Sequence, residues 1–250
     1  MLGRLLKGTE WVKAVDYLSP VFFQVVPSLP MGKRLASLAS SYVDRKSFNT
    51  VCEALAPKIN QIGIQLSYGI PNEQQEPSKK QNLSADDEAK VLKLYFWQLF
   101  FADSLILDYR RATFYLTDDG QIVWKPKPLF GRFDPKFAQG IKQMYQGFYT
   151  ADYPLFDQAL KDLGLFHAKD LFIAHFGASQ SSMRFELSAF RKTFHELFVS
   201  CKENHSQLHP DFLAFGAGLF SLYEHLEQNA NSFDVRAAFN RATQTGLELL

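Results

Sequence analysis

Apolar residues recur at three- and four-residue spacing along most of this chain, which predicts a succession of helices. Residues 2–18 place Leu2, Leu5, Leu6, Trp11, Val15 and Leu18 near one side, with Arg4, Lys7 and Lys13 off it. Such a helix can lie on a membrane surface or dock against the rest of the fold. On the first reading Leu2, Arg4, Leu5, Lys7, Trp11 and Lys13 are the membrane-facing residues. Pro20, Pro27 and Pro30 then interrupt, predicting an extended or turn-rich connector over residues 19–31. Residues 32–69 read as helix in two pieces. Ser47 or Asn49 caps the second, which buries Val51, Leu55, Ile59 and Ile62. Residues 71–90 have no aromatic or β-branched side chain and only Leu83 as a large apolar one, so they read as a linker. Ser84, followed by Asp86, Asp87 and Glu88, predicts a helix start at the end of that stretch.

The apolar run 91–107 carries Lys93 and Asp103 and ends near Arg110-Arg111, so it reads as a core helix. From residue 113 the period falls to two. TFYL and QIVW flank an Asp-Asp-Gly turn and predict a small β-hairpin near 113–125. After residue 134 the helical spacing returns. Asp134-Pro135 starts a helix whose stripe is Phe137, Ile141, Met144, Tyr145 and Phe148. A shorter helix over 152–163 is closed by Gly164. The helix over 184–202 buries Phe190, Phe194, Leu197, Phe198 and Cys201. One starting at His209-Pro210-Asp211 buries Phe212, Phe215, Leu219, Leu222, Tyr223 and Leu226, with Gly216 and Gly218 marking close approach of another backbone. A last helix begins at about Asp234. The fold class is therefore mainly α, a helical bundle with one small hairpin. Its parts are an N-terminal helical region 1–70, a linker 71–90 and a helical domain 91–250.

Composition sharpens this picture. Hydrophobic residues make up 46% of the chain and 24 residues are Phe, which implies an aromatic interior or an apolar surface meant for a partner. Lys+Arg 27 against Asp+Glu 26 leaves a net charge of +1, which argues against a nucleic-acid partner. Cys52 and Cys201 lie far apart without metal spacing, as in a reduced cytoplasmic protein. The N-terminal apolar stretch is broken by Lys7, Glu10, Lys13 and Asp16 and does not read as a secretion signal. His195-Glu196 is not followed by the second histidine of a zinc-protease helix, and no glutamate has a histidine three positions later. Neither a Gly-x-Ser-x-Gly elbow nor a glycine-rich nucleotide loop occurs. No metal and no cofactor are expected. Arg110 and Arg111 either grip an external phosphate or carboxylate or complement the dipole at the end of the preceding helix.

The segment QLFFADSLILDYRRATFYLTDDGQIVWKPKPLFGRFDP (98–135) and the downstream ADYPLFDQALKDLG resemble the C-terminal lobe of the UbiB/AarF family of atypical kinases. The shared features are an apolar helix, a loop, an Asp-Gly hairpin and a Gly-Arg-x-Asp-Pro helix start, in the same order. The resemblance implies a kinase-C-lobe-like helical domain and a link to isoprenoid-lipid metabolism. It places the family's catalytic-loop Asp at Asp108 and its metal-binding Asn at Thr113. The family's metal-binding Asp-Phe-Gly falls at Pro126-Lys127-Pro128. Phosphoryl transfer needs metal held by oxygen ligands at those positions, and Pro and Lys side chains offer none. The implied function is that of a non-catalytic, pseudokinase-like protein. It would bind a partner protein or an isoprenoid- or quinone-type lipid, as a cytoplasmic protein peripheral to the inner membrane face. The alternative is an all-α carrier of a hydrophobic small molecule, or an enzyme, unrelated to kinases.

Overall fold

The computed structural model describes residues 20–69, 83–177 and 182–248, and the chain folds mainly into α-helices with three small sheets. The amphipathic helix expected over 2–18, with Leu2, Arg4, Leu5, Lys7, Trp11 and Lys13, lies outside the described residues, as does the polar stretch 71–82.

The prolines shape the first helices instead of excluding them. Helix α1 (Phe22–Val25) is a single turn, and α2 (Ser28–Val43) follows Pro27 directly with Pro30 in its first turn. First-turn N–H groups have no partner inside the helix, so a proline there removes nothing. This corrects the expected non-helical connector over 19–31. Helix α3 (Arg45–Gln61) is capped by Asp44, which accepts from Ser47 N at 3.0 Å. Ser47 is thus the donor to the cap, where the sequence suggested the cap itself. Leu55, Ile59 and Ile62 are buried as expected, and Phe48 and Cys52 join them.

Strand β1 (Ile64–Leu66) leads towards α4 (Ala85–Phe101), which starts on a capping box. Asp87 N donates to Ser84 Oγ at 3.2 Å, and Ser84 N donates to Asp87 Oδ2 at 3.1 Å. Residues 85–90 are therefore helix, not linker. Helix α4 stops at Phe101 with Ala102 extended, well before Arg110. Strand β2 (Leu105–Ile106) follows. Next comes the hairpin of β3 (Phe114–Leu116) and β4 (Ile122–Trp124), where predicted, with Gly120 at φ 80° in its turn. Strand β5 (Phe130–Gly131) pairs antiparallel with β2. Strand β1 pairs in parallel with β4, in the register Ile64↔Ile122, so the sheet order is β1-β4-β3.

Helix α5 (Pro135–Tyr149) is capped by Asp134 Oδ1, which accepts from Lys136 N and Phe137 N. Helix α6 (Tyr153–Asp162) ends as predicted on Gly164, at φ 72°. There Gly164 N donates to Lys161 O and Leu165 N to Leu160 O. The two helices touch at Gly147, where an added Cβ would stand 2.4 Å from Phe156 N. Gly216 and Gly218, expected at such a contact, would meet only side chains at 3.7 and 3.5 Å, ordinary packing distances. Helix α7 (Lys169–His175), β6 (Met183–Arg184), α8 (Leu187–Glu203), α9 (Phe212–Glu227), β7 (Ser232–Phe233) and α10 (Val235–Glu248) complete the order.

One hydrophobic cluster contains Phe22, Phe48 and Ile59 from the N-terminal helices together with Phe96, Phe156, Phe198 and Phe239. Arg34 of α2 also pairs with Asp211, just ahead of α9, at 2.7 Å. The division the sequence suggests between 1–70 and 91–250 therefore separates stretches of chain but not of core. Among the described residues no helix is long and apolar enough to cross a membrane.

Candidate functional site

The loop between β2 and β3 holds Asp108, Arg110, Arg111 and Thr113, and helix α9 fixes it in place. Ser221, Glu224 and His225 stand at i, i+3 and i+4 on α9, hence on one face. Ser221 Oγ accepts from Tyr109 N at 3.1 Å and lies 2.6 Å from Leu107 O. Glu224 Oε2 accepts from Arg111 N at 2.9 Å. His225 Nδ1 lies 2.9 Å from Tyr109 O. A carbonyl only accepts, so the ring carries its proton on Nδ1, while its buried Nε2 has no hydrogen-bond partner among the described residues. Burial pushes the His225 pKa down to about 3, with Arg111 adding to the shift and the Tyr109 carbonyl opposing it.

Below this face, Gln98 of α4 spans the base of the loop. Its Nε2 donates to Tyr109 Oη at 2.7 Å, and its Oε1 accepts from Ile106 N at 3.0 Å. Trp124 stacks between Tyr109 and Phe114, with both centroid distances 5.5 Å, and its Nε1 donates to Asp108 O at 2.8 Å. The irregular backbone therefore has its polar groups satisfied by side chains, as a buried loop must.

Asp108 itself is fully buried. Its Oδ1 accepts from Arg110 Nε at 2.6 Å. Its Oδ2 accepts from Arg110 Nη2 and from Lys127 N, both at 2.9 Å. Pro126 and Pro128 are buried while Lys127 between them is exposed. A residue before proline is held extended, which here turns the Lys127 N–H towards Asp108. Thr113 Oγ1 donates to Arg110 O at 2.8 Å, and Lys125 N donates to Thr113 O at 2.8 Å. The structure thus gathers Asp108, Arg110, Thr113 and the backbone of Lys127 into one network, directed inwards. A general base must reach a proton on a substrate, and this carboxylate has both oxygens occupied and no exposed surface.

The two arginines are placed differently from either sequence expectation. Helix α4 ends at Phe101, so neither Arg110 nor Arg111 complements its C-terminal dipole. The Arg110 guanidinium offered to an external anion is engaged bidentately by Asp108. Arg111 Nη1 donates to Phe114 O at 2.9 Å, and the side chain lies in the field of Glu88 and Glu224, while burial lowers its pKa. Glu88 is wholly buried and accepts from Asn229 Nδ2 at 2.7 Å and Asn231 Nδ2 at 2.8 Å. Sequence reasoning missed Gln98, Ser221, His225 and Glu88. The available signal was a few polar residues inside helices that are otherwise apolar.

Among the described residues, the aromatic interior behind this loop contains two small, partly open hollows, with about 20 Å³ of free space in each. Both are lined by Tyr145, His175, Phe176 and Leu219. Each has room for about one water molecule. Desolvation of the half-buried ring lowers the His175 pKa to about 4. Among the described residues no group of three or more His, Cys, Asp or Glu side chains is arranged to hold a metal ion.

No protein-family model and no curated protein matches this chain.

Proposed function

We propose that this protein is a non-catalytic relative of the UbiB/AarF-type kinases and acts by binding a partner protein. The observation that carries this reading is the buried carboxylate of Asp108, bonded to Arg110 and to the backbone of Lys127. At the position where the family keeps a catalytic aspartate, the charge is used to hold a loop. Pro126-Lys127-Pro128 supports the same reading, since the Lys127 backbone completes that network where the family binds metal. The order of α4, β2, hairpin, β5 and α5 agrees with the resemblance in residues 98–135. The reading in which an isoprenoid or quinone chain is carried inside the protein has less support. The two aromatic cavities have about 20 Å³ of free space in each, far below the 300 Å³ or more of a typical ligand site.

Thermal unfolding with millimolar ATP and Mg²⁺ tests the reading. A nucleotide at a hundred times its dissociation constant stabilises a protein by about 2.7 kcal/mol. The melting temperature is expected to stay unchanged. A rise of several degrees would show that nucleotide binding is retained, and transfer of labelled γ-phosphate to any acceptor would overturn the non-catalytic assignment.

A further inference from the structure

A groove of about 940 Å³ opens between the start of α5, the end of α6 and the loop leading into α9. Gln139 and Gln143 stand one helical turn apart on α5, and Gln207 lies in the loop before α9. These three side chains line the groove, and none of their amides is bonded elsewhere in the described protein. Pro27, Pro135 and Pro210 supply rigid wall segments without N–H groups. His209 stacks on Phe137 at 5.0 Å, and its Nδ1 accepts from Asp211 N at 3.2 Å, so Nε2 is the ring nitrogen left for an occupant.

The chemistry of these walls selects among occupants. An acyl or isoprenoid chain would strip water from three amides and return no hydrogen bond, which is costly. An anionic ligand would meet the carboxylates of Asp134 and Asp162 with only Lys136 opposing them. The first N–H groups of α5 are in addition already bonded to Asp134. A polypeptide in extended form presents one N–H and one C=O per residue, and a glutamine amide pairs with both. We infer that this groove binds an extended segment of a partner polypeptide carrying a Lys or Arg side chain, which Asp162 receives at Oδ2, its Oδ1 already accepting from Gln158 Nε2 at 2.8 Å. This assignment rests on the binding function proposed above and names the site where it takes place.

The test pans a random displayed-peptide library against the full-length protein and measures the affinity of synthetic copies of the enriched sequences. Enriched peptides should carry Lys or Arg. The double variant Gln139→Ala/Gln143→Ala should bind them about tenfold or more weakly, the loss expected when a pair of hydrogen bonds is removed. The variant Asp162→Lys should weaken basic peptides by a similar factor. The melting temperature of the double glutamine variant should stay close to the parent, because the two glutamines make no internal bond in the described protein, and Asp162→Lys gives up only one exposed bond, from Gln158 Nε2 at 2.8 Å. The inference is overturned if no peptide is enriched, or if enriched peptides bind both variants as tightly as the parent. It is equally overturned if the groove variants lose affinity for anionic vesicles or inorganic phosphate in place of peptides. Phosphoryl transfer with peptide binding intact would overturn the non-catalytic reading alone. Loss of the peptide result without nucleotide binding would overturn the groove alone.

Discussion

The loop around Asp108 and the aromatic packing between α4, α5 and α10 are both buried, yet opposite physics holds them. In the first, Asp108, Arg110, Ser221 and Gln98 satisfy irregular backbone and one another through directed hydrogen bonds. In the second, Phe96 packs edge-on against Tyr145, Tyr149 and Phe239 at centroid distances of 5.4, 5.8 and 5.5 Å. Removing one member of a polar network strands its partner, whereas removing one ring leaves a hole. The two regions should therefore respond differently to single and to paired substitutions.

The largest expected effects are a matched pair. Asp108→Ala leaves the Arg110 guanidinium buried without its counter-charge and should cost about 3–5 kcal/mol. Phe96→Ala empties a site that is 2% exposed and should also cost about 3–5 kcal/mol. Denaturant unfolding measures both, and the comparison lies in what rescues them. Asp108→Leu combined with Arg110→Met should regain most of the stability lost in Asp108→Ala, because no charge remains buried. The Phe96→Ala cavity should instead be refilled by a small apolar molecule such as benzene, read as a rise in melting temperature. If the Asp108/Arg110 double variant is as unstable as Asp108→Ala, the charge pair is not what holds the loop.

A pH series sharpens the same contrast. Burial keeps His225 neutral in the fold, with a pKa of about 3 against 6.5 for the free side chain. The unfolded chain therefore takes up the proton first as the pH falls. The stabilisation is fully present above pH 6.5 and is lost between there and about 3, with a slope of up to about 1.4 kcal/mol per pH unit. His225→Asn, which retains a donor for Tyr109 O, should flatten the curve between pH 6.5 and 4. An unchanged slope would mean that His225 is solvated in the folded state. The smallest effect lies outside both regions. Ser84→Ala removes the cap of α4 and should cost about 1 kcal/mol in the same assay.

Features decided by neighbours in sequence were legible in sequence. The Ser84 cap, the Asp-Asp-Gly hairpin, the Gly164 terminus and the stripe from Phe137 to Phe148 each depend on residues within a turn or two, and each lies where the spacing put it. Pro30 and the cap of α3, expected at Ser47 or Asn49 and found at Asp44, were misplaced because first-turn positions differ from helix interiors, a distinction of a few residues. What escaped is non-local. Nothing near Glu88 foretells the amides of Asn229 and Asn231, and nothing near Tyr109 foretells Ser221 or His225. The resemblance placed Asp108 at the centre of the site. Only the partners reached through folding reveal that its carboxylate faces inward.

The pairing of Ile64 with Ile122 sets a timetable for synthesis. The two residues are about 60 positions apart, and at roughly 5–20 residues per second the ribosome needs about 3–12 s to deliver the second after the first. Throughout that interval Ile64, Leu66 and the apolar face of α3 wait without the strand that will cover them. The β1 edge is thus left unpaired until the hairpin has been made. A ribosome stalled before residue 122 would carry a nascent chain with an open strand edge, while one stalled far enough past residue 124 for β4 to leave the exit tunnel would carry a chain able to close its first sheet.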